Sequence, residues 1–340
     1  MNAMMRAAVL VDFGAPLEIR TVRRPEPKAG QILVRLEACG LCHSDVHIWK
    51  GEVRPPVSPD PFVLGHEGVG RIEALGAGVT GWSVGDRAGV PWLHKTCLCC
   101  DECRDGEESF CQHQTAHGLN VPGALADYVV VDADFAVRLP GTVDAVQTAP
   151  VMCAGVTAYG AIRRARMLAG ERLAVFGCGG LGLYAVQIAH RMGIEVVAID
   201  RDPDKLSTAR ALGANETEIA DGGLTERMSE PGRRVHAAIN FAPTTRTWPA
   251  MLSAIRPRGR IVAAALVSEP VGLNQEWLTG TGVTITGTSV GTRKEMQELV
   301  ALHAANPLTA PIEEISLEQV SDALIALEEG KAKGRFVIRL

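Results

Sequence analysis

The segment that most narrows the fold is LAVFGCGGLG (173–182), an apolar run that passes directly into the pattern G-x-G-x-x-G. Gly177, Gly179 and Gly182 hold the three positions, with Gly180 and Leu181 between the last two. A buried strand that ends in this pattern and opens a helix is the start of a dinucleotide-binding unit. One glycine makes the tight turn, one lets a pyrophosphate approach the backbone, and one lets the helix pack closely on the strand. The helix, expected to begin near Gly180, offers free N–H groups and partial positive charge to the phosphates. Asp200 closes the next apolar run, EVVAID (195–200), eighteen residues past Gly182. A carboxylate there accepts from the adenosine-ribose hydroxyls and repels a 2′-phosphate, which favours NAD over NADP. Arg201 beside it pulls towards NADP, but a 2′-phosphate would desolvate Asp200, and that cost decides for NAD.

The alternation continues downstream. PDKLSTARALG (203–213) reads as a helix with proline at its start and glycine at its end, and HAAINF (236–241), RIVAAALV (260–267) and VTITGTS (283–289) read as strands. Continuous apolar strands separated by helices imply a parallel sheet covered on both faces, so residues 152–288 form one doubly wound α/β domain. Residues 1–151 have a different texture. MNAMMRAAVLVDFG leads in as a first strand, ILVRLEA (32–38), GVGRIEAL (68–75) and ADYVVVD (126–132) are short strands, and PPVSPDP (55–61) is a loop. The tail, 289–340, carries two helical patterns and a final strand, RFVIRL. That is too little to bury a core of its own, so the tail is expected to return to the first domain.

Charge and cysteine usage limit what such a chain can serve. The net charge of −5 argues against nucleic acid as the main ligand, because phosphate neutralisation needs a basic face. Apolar runs such as IVAAALV fall well short of the ~18–20 residues of a membrane span, and the first residues offer no convincing export cleavage site. The expected location is therefore the cytoplasm. Nine cysteines in such a compartment point to metal or chemistry rather than disulfides, and five of them fall between positions 97 and 111. Cys97, Cys100, Cys103 and Cys111 form C-x2-C-x2-C-x7-C inside a lobe spanning 95–113. Four thiolates from one loop close a tetrahedron around zinc and leave no open position, which makes such a site structural. Asp101, Glu102, Arg104 and Asp105 make the loop too polar for a cluster of buried thiols. Cys99 and Cys100 can each in principle be the second ligand; the spacing favours Cys100.

Three further segments carry chemistry. GLCHSDVHIWKG (40–51) places Cys42, Ser44 and His47 close together, GHEGVGRIEALGAGV (65–79) supplies His66 and Glu67, and APVMCAGVTAYG (149–160) supplies Cys153. Two sulfurs and one imidazole nitrogen could hold a zinc with an open position. Taken singly, each of the three is more often a core thiol or a backbone-bonded imidazole than a ligand. Ser44 and His47 are three apart and share a face if this segment is helical. Cys39 and Cys178 read as structural thiols. His94, His113, His117, His190, His236 and His303 have no assigned role, and most read as solvated or capping residues.

With these motifs the chain resembles the zinc-dependent medium-chain alcohol dehydrogenases, most closely the microbial NAD-dependent ones. GHEGVGRIEALGAGV fits the family signature G-H-E-x2-G-x5-[GA]-x2-V, and CHSDVH, the cysteine lobe, CAGVTAY and GCGGLG follow in the family's order over essentially the whole chain. The resemblance implies an α/β chain with a doubly wound Rossmann domain and a β-rich GroES-like catalytic domain completed by 289–340. It implies two zincs per chain: one catalytic on Cys42, His66 and Cys153, with Glu67 a transient ligand beside it, and one structural on Cys97, Cys100, Cys103 and Cys111. Asp45 would accept from the His66 ring, Ser44 would bond the substrate oxygen, and His47 would end a proton relay. His43, Thr157, the glycine turn, Asp200, Arg201, Lys205 and Arg335 would surround NAD, and Trp49 and Trp92 would wall the substrate pocket.

The implied reaction is reversible oxidation of small to medium alcohols to aldehydes or ketones, in a homotetramer or dimer joined at the VTITGTS edge. A polyol, an aromatic alcohol or a thiol adduct of formaldehyde is the alternative substrate within the same superfamily. A non-catalytic NAD(H)-binding redox sensor is the alternative of another class. The chain departs from the family where Leu98 replaces the glycine usual after the first lobe cysteine, and over PTTRTWPAML (243–252).

Overall fold

The computed structural model describes residues 3–55 and 62–340; of the expected loop PPVSPDP, all but Pro55 lies outside the described residues. The chain divides into two compact units, Met1–Val156 with Thr292–Leu340, and Thr157–Gly291. The helix Ala154–Ala165 runs across the division.

In the first unit the long strand Gln31–Gly40 is the organising element. Seven of its ten residues are buried, because it pairs with neighbours along both edges. Gly68–Leu75 and Tyr128–Asp132 pair with it antiparallel, as does the last strand, Arg335–Arg339, which brings the tail into the same sheet. A second tail strand, Ile312–Ile315, runs parallel to Arg335–Arg339 and was not expected from the sequence. Its centre is two exposed glutamates, Glu313 and Glu314, at the sheet edge, where charge is tolerated and even protective. The N-terminal strand Met4–Leu10 joins a small sheet with Glu18–Arg23 and Phe62–Val63. Val9, Leu10, Ile32, Leu41, Ile48, Leu64 and Leu125 are fully or nearly fully buried in the core beneath these sheets.

The second unit is a six-stranded sheet, all parallel, in the spatial order Glu216–Ile219, Glu195–Asp200, Arg172–Phe176, Val235–Asn240, Ile255–Ala263, Thr284–Gly287. In unit order this is third, second, first, fourth, fifth, sixth. The sequence of pairing reverses between the first and fourth strands, and such a switch point is where open α/β sheets bind ligands. The glycine turn begins at that point, directly after Phe176.

Local chemistry accounts for the element ends. Asp202 caps Pro203–Ala211 by accepting from the Asp204 N–H at 2.9 Å, and the proline occupies the first turn, where its missing N–H is harmless. The strand expected at 260–267 instead spans Ile255–Ala263. It starts early because a bulge absorbs Pro257 and Arg258, whose φ is +62°, and it ends early because Asn240 O accepts both the Ala264 and Ala265 N–H groups.

The three glycines of the turn are held by different causes. Gly177 has φ +92°, and a Cβ there would lie 2.7 Å from Ala242 N. A Cβ on Gly182, where the helix Gly182–Arg191 begins, would lie 1.9 Å from Gly177 O. At Gly179 a Cβ meets nothing within 4 Å. We expect Gly182→Ala to destabilise the fold by about 1–3 kcal/mol through overpacking, and Gly179→Ala to leave stability within roughly 0.5 kcal/mol. Urea unfolding of the two variants checks this contrast.

Candidate active site

Asp45 is the buried carboxylate around which the site is arranged. It lies in the first turn of the helix His43–Trp49 and is fully shielded from solvent. Its Oδ2 accepts from the Cys42 N–H at 2.9 Å, and its Oδ1 accepts from the Gly65 N–H at 3.1 Å. The same Oδ1 stands 3.3 Å from Nδ1 of His66. One anion therefore fixes the start of the helix that carries Cys42 and the loop that carries His66, which is the orienting arrangement of a metal-bound histidine.

Around it, ligand atoms of Cys42, His66, Glu67 and Cys153 lie within 4.8 Å of one another, and all four residues are buried. The two sulfurs are 3.9 Å apart. Both ring nitrogens of His66 and Oε1 of Glu67 are buried with no hydrogen-bond partner among the described residues; the Asp45 charge reaches Nδ1 across 3.3 Å. Buried polar atoms of this kind are costly unless something satisfies them. A cation among two sulfurs, an imidazole and a carboxylate would do so, and that donor set suits zinc. The sulfur spacing also fits, since a bond length near 2.3 Å puts tetrahedral thiolates ~3.8 Å apart.

The protonation states follow from the same crowding. The hydrogen bond from Cys153 holds the Cys42 thiol well below its ordinary range despite burial, and Cys153 is pushed up in turn. Burial alone would depress His66; Asp45 and Cys42 together outweigh it and raise the imidazole well above its usual range. Burial lifts Glu67 to about 7 against the pull of Arg335, with which it forms an ion pair. Gly40 makes room for that pair, because a Cβ there would sit 2.1 Å from Glu67 Oε2. Arg335, expected at the cofactor, is buried on the returning strand and paired with Glu67.

The remaining expected residues are distributed as follows. Ser44 Oγ lies 3.8 Å from Cys42 Sγ. His47 is one turn on, its ring 5.3 Å from that of the exposed His43 and its Nδ1 2.6 Å from Glu52 Oε2. Trp92 stands edge-on to His66, the ring centres 4.8 Å apart. Trp49, expected as a second pocket wall, is instead packed into the core, with its indole N–H donated to Ala15 O at 2.6 Å. Thr157 is buried on the helix Ala154–Ala165. In the second unit Asp200 accepts from the Cys178 N–H at 2.7 Å and the Asp202 N–H at 3.0 Å, which pins its carboxylate between the glycine turn and the next helix. Arg201 is exposed there, Lys205 is half-buried, and Gly180 and Leu181 are partly accessible.

In the lobe, ligand atoms of Cys97, Cys100, Cys103 and Cys111 gather within 4.8 Å of one another, with Cys97 Sγ 3.9 Å from Cys103 Sγ and 3.6 Å from Cys111 Sγ. Cys99 is exposed and outside this group. Leu98 takes the left-handed conformation, φ +58°, that the glycine usual at this position would adopt freely.

Three histidines read as solvated or capping are buried: His94, His117 and His303. His117 Nδ1 lies 2.8 Å from Pro91 O and its Nε2 3.2 Å from Nδ1 of His94, so two imidazoles meet edge-on, their planes 85° apart, against Pro91. His303 ties Thr148 to the Leu308 N–H. No spacing rule could have found these pairs, because each joins residues from separate elements.

Comparison with known proteins places these features in a family. Residues 28–141 match the alcohol dehydrogenase GroES-like domain, and residues 180–305 match the zinc-binding dehydrogenase domain. An alcohol dehydrogenase of Geobacillus stearothermophilus is 37% identical over 341 residues, covering 99% of each chain. The solved alcohol dehydrogenase of Aeropyrum pernix is 30% identical with a TM-score of 0.89, covering 98% of this chain and all of that one. The acetophenone reductase of Geotrichum candidum, solved in complex with NAD, is 26% identical with a TM-score of 0.86, covering 99% and 97%.

Two stability effects follow from the site. Leu98→Gly removes a left-handed leucine that is largely exposed and should stabilise the fold by up to about 1 kcal/mol, read by urea unfolding. His117 is pressed down to about 3, chiefly by burial and then by His94. The unfolded chain binds this proton near pH 6.5, so the stability His117 secures is complete above that pH and is lost progressively towards pH 3. Between pH 7.5 and 5 the wild type should lose about 2 kcal/mol more than His117→Gln, measured by urea unfolding at both values.

Proposed function

The chain belongs to the zinc-dependent medium-chain alcohol dehydrogenase family, and we propose that it is an NAD-dependent, zinc-loaded member acting on small to medium primary or secondary alcohols and the matching aldehydes or ketones. As a family member it is an alcohol oxidoreductase. The observation that carries the finer reading is the buried Cys42–His66–Glu67–Cys153 cluster with its unsatisfied His66 Nε2 and Glu67 Oε1. We assign zinc to Cys42, His66 and Cys153 and a second zinc to Cys97, Cys100, Cys103 and Cys111.

Zinc supplies a Lewis acid that makes a hydroxyl more acidic, and NAD supplies the hydride acceptor. The chain does the rest. Asp45 orients His66 and the Cys42 N–H, so the ligand set is fixed before substrate arrives. Arg335 holds Glu67 through Oε2, so its other oxygen stands beside the three lasting donors as a transient ligand. Ser44 takes the hydroxyl proton and His47 passes it towards water. Trp92 gives an apolar wall beside His66 that favours compact substrates. On the cofactor side, Gly177 and Gly182 are demanded by the fold, whereas Gly179 faces open space. Its smallness suits the approach of a pyrophosphate, and Asp200 suits the ribose hydroxyls of NAD. The first unit is then the catalytic domain and the second the NAD-binding domain. Among the described residues no single helix is long and apolar enough to cross a membrane, and we place the enzyme in the cytoplasm as a homotetramer or dimer, with Thr284–Gly287 as the joining edge.

Cys42→Ala and His66→Ala should each abolish alcohol-dependent NADH formation while NAD affinity changes less than about threefold. Metal analysis should give two zincs per wild-type chain and one in either variant. Near-native turnover in both variants would refute the catalytic zinc. NAD binding without turnover on any alcohol, with one zinc per chain, would instead describe a sensor.

A further inference from the structure

The helix His43–Trp49 leaves His47 half-buried, and the chain turns back immediately after it. The Glu52 and Val53 N–H groups both donate to His47 O, at 3.0 and 3.2 Å, so the turn is tied to the very residue whose ring it faces. That turn carries Glu52 Oε2 to 2.6 Å from His47 Nδ1. The other carboxylate oxygen, Oε1, lies 3.5 Å from Lys50 Nζ, and Lys50 is in turn 2.6 Å from Glu328 on the helix Val320–Glu328. His43 faces the His47 ring from the previous turn, and Arg335 makes itself felt at His43. Glu52 is thus the anion in direct contact with His47, clamped from the far side by a lysine that is itself anchored.

We propose that Glu52 is a positioning residue that fixes His47 as its Nδ1–H tautomer and so leaves Nε2 as the proton-accepting atom of the alcohol dehydrogenase relay. The inference rests on the proposed function, in which His47 carries the substrate proton towards water. Its basis is the hydrogen-bond inventory. An ionised carboxylate can only accept, so the Nδ1 it meets must carry the proton, and a neutral imidazole then has its lone pair on Nε2. Glu52 is ionised across the working range, since the hydrogen bond from His47, with Lys50 behind it, holds it below the ordinary carboxylate range. A proton that arrives at Nε2 makes the imidazolium, whose charge Glu52 balances. Water removes that proton from Nε2 again, which restores the starting tautomer. One proton enters and one leaves, and no electrons move.

Glu52 is exposed and lies outside the buried cluster, so replacing it should not disturb folding or zinc content. The test uses the zinc-loaded full chain with NAD, in wild type, Glu52→Ala, Glu52→Asp and His47→Gln. Nitrogen-15 imidazole NMR on the first three should show the neutral His47 ring as Nδ1–H in the wild type and chiefly Nε2–H in Glu52→Ala, which leaves Nδ1 no acceptor. In alcohol oxidation, Glu52→Ala should lower the plateau of the kcat/KM pH profile about tenfold. Glu52→Asp, which keeps the charge, should recover most of both effects. An unchanged His47 tautomer in Glu52→Ala overturns the inference. A plateau that falls in His47→Gln but not in Glu52→Ala overturns it while leaving the relay intact. A wild-type profile in His47→Gln removes the relay from the proposed function and the inference with it.

Discussion

Four ligand atoms, from segments as distant as residues 42 and 153, share one buried cluster, and among the described residues neither ring nitrogen of His66 nor Oε1 of Glu67 meets a hydrogen-bond partner. A buried group of thiol, imidazole and carboxylate is costly unless charge or hydrogen bonds satisfy it. Much of the first unit can be understood as the means of assembling it. The strand Gln31–Gly40 ends beside the loop that carries Cys42, Asp45 bridges that loop to Gly65 and His66, and the last strand returns Arg335 to Glu67. The tail joins the sheet by backbone pairing to Gln31–Gly40, so a residue near the C-terminus can belong to a site built mostly from the first half of the chain.

The second unit solves a different problem with fewer residues. A parallel sheet with a switch point between Arg172–Phe176 and Val235–Asn240 leaves backbone open at its carboxyl edge, and the glycine turn fills that position. Gly177 and Gly182 are required by the packing of turn on strand and helix, while Gly179 is not. That difference separates a foldable turn from a ligand-ready one. Asp200 accepts from both Cys178 and Asp202, so the carboxylate that would meet a ribose is held in place before any ligand arrives.

Features legible in the sequence were those whose chemistry is local. The glycine turn, the parallel strands around it, the strand Gly68–Leu75 and the cysteine spacing each lie within one short segment, so residue type and offset carry the information. What the sequence hid depends on contacts between segments. His94 and His117 look like surface residues until two strands bring them together behind Trp92. Glu52 lies five residues past His47, beyond helical spacing, and only the turn after the helix makes them neighbours. Trp49 sits beside a candidate site in sequence, yet helical geometry turns it into the core. The strand Ile312–Ile315 has too few apolar residues to announce itself, and its partner lies twenty residues later. Leu98 runs the other way: a leucine stands where the family has glycine, yet the backbone takes the left-handed conformation and accepts the strain.

A metal on the Cys42–His66–Cys153 cluster of the protein as purified is the condition for the proposed chemistry. Anomalous diffraction at the zinc edge measures this directly. It should show two peaks per chain, one of them bonded to the Cys42 and Cys153 sulfurs near 2.3 Å and to a His66 nitrogen at about 2.0–2.1 Å. A single peak confined to the cysteine lobe, with Cys42 and Cys153 free or joined to each other, would contradict it.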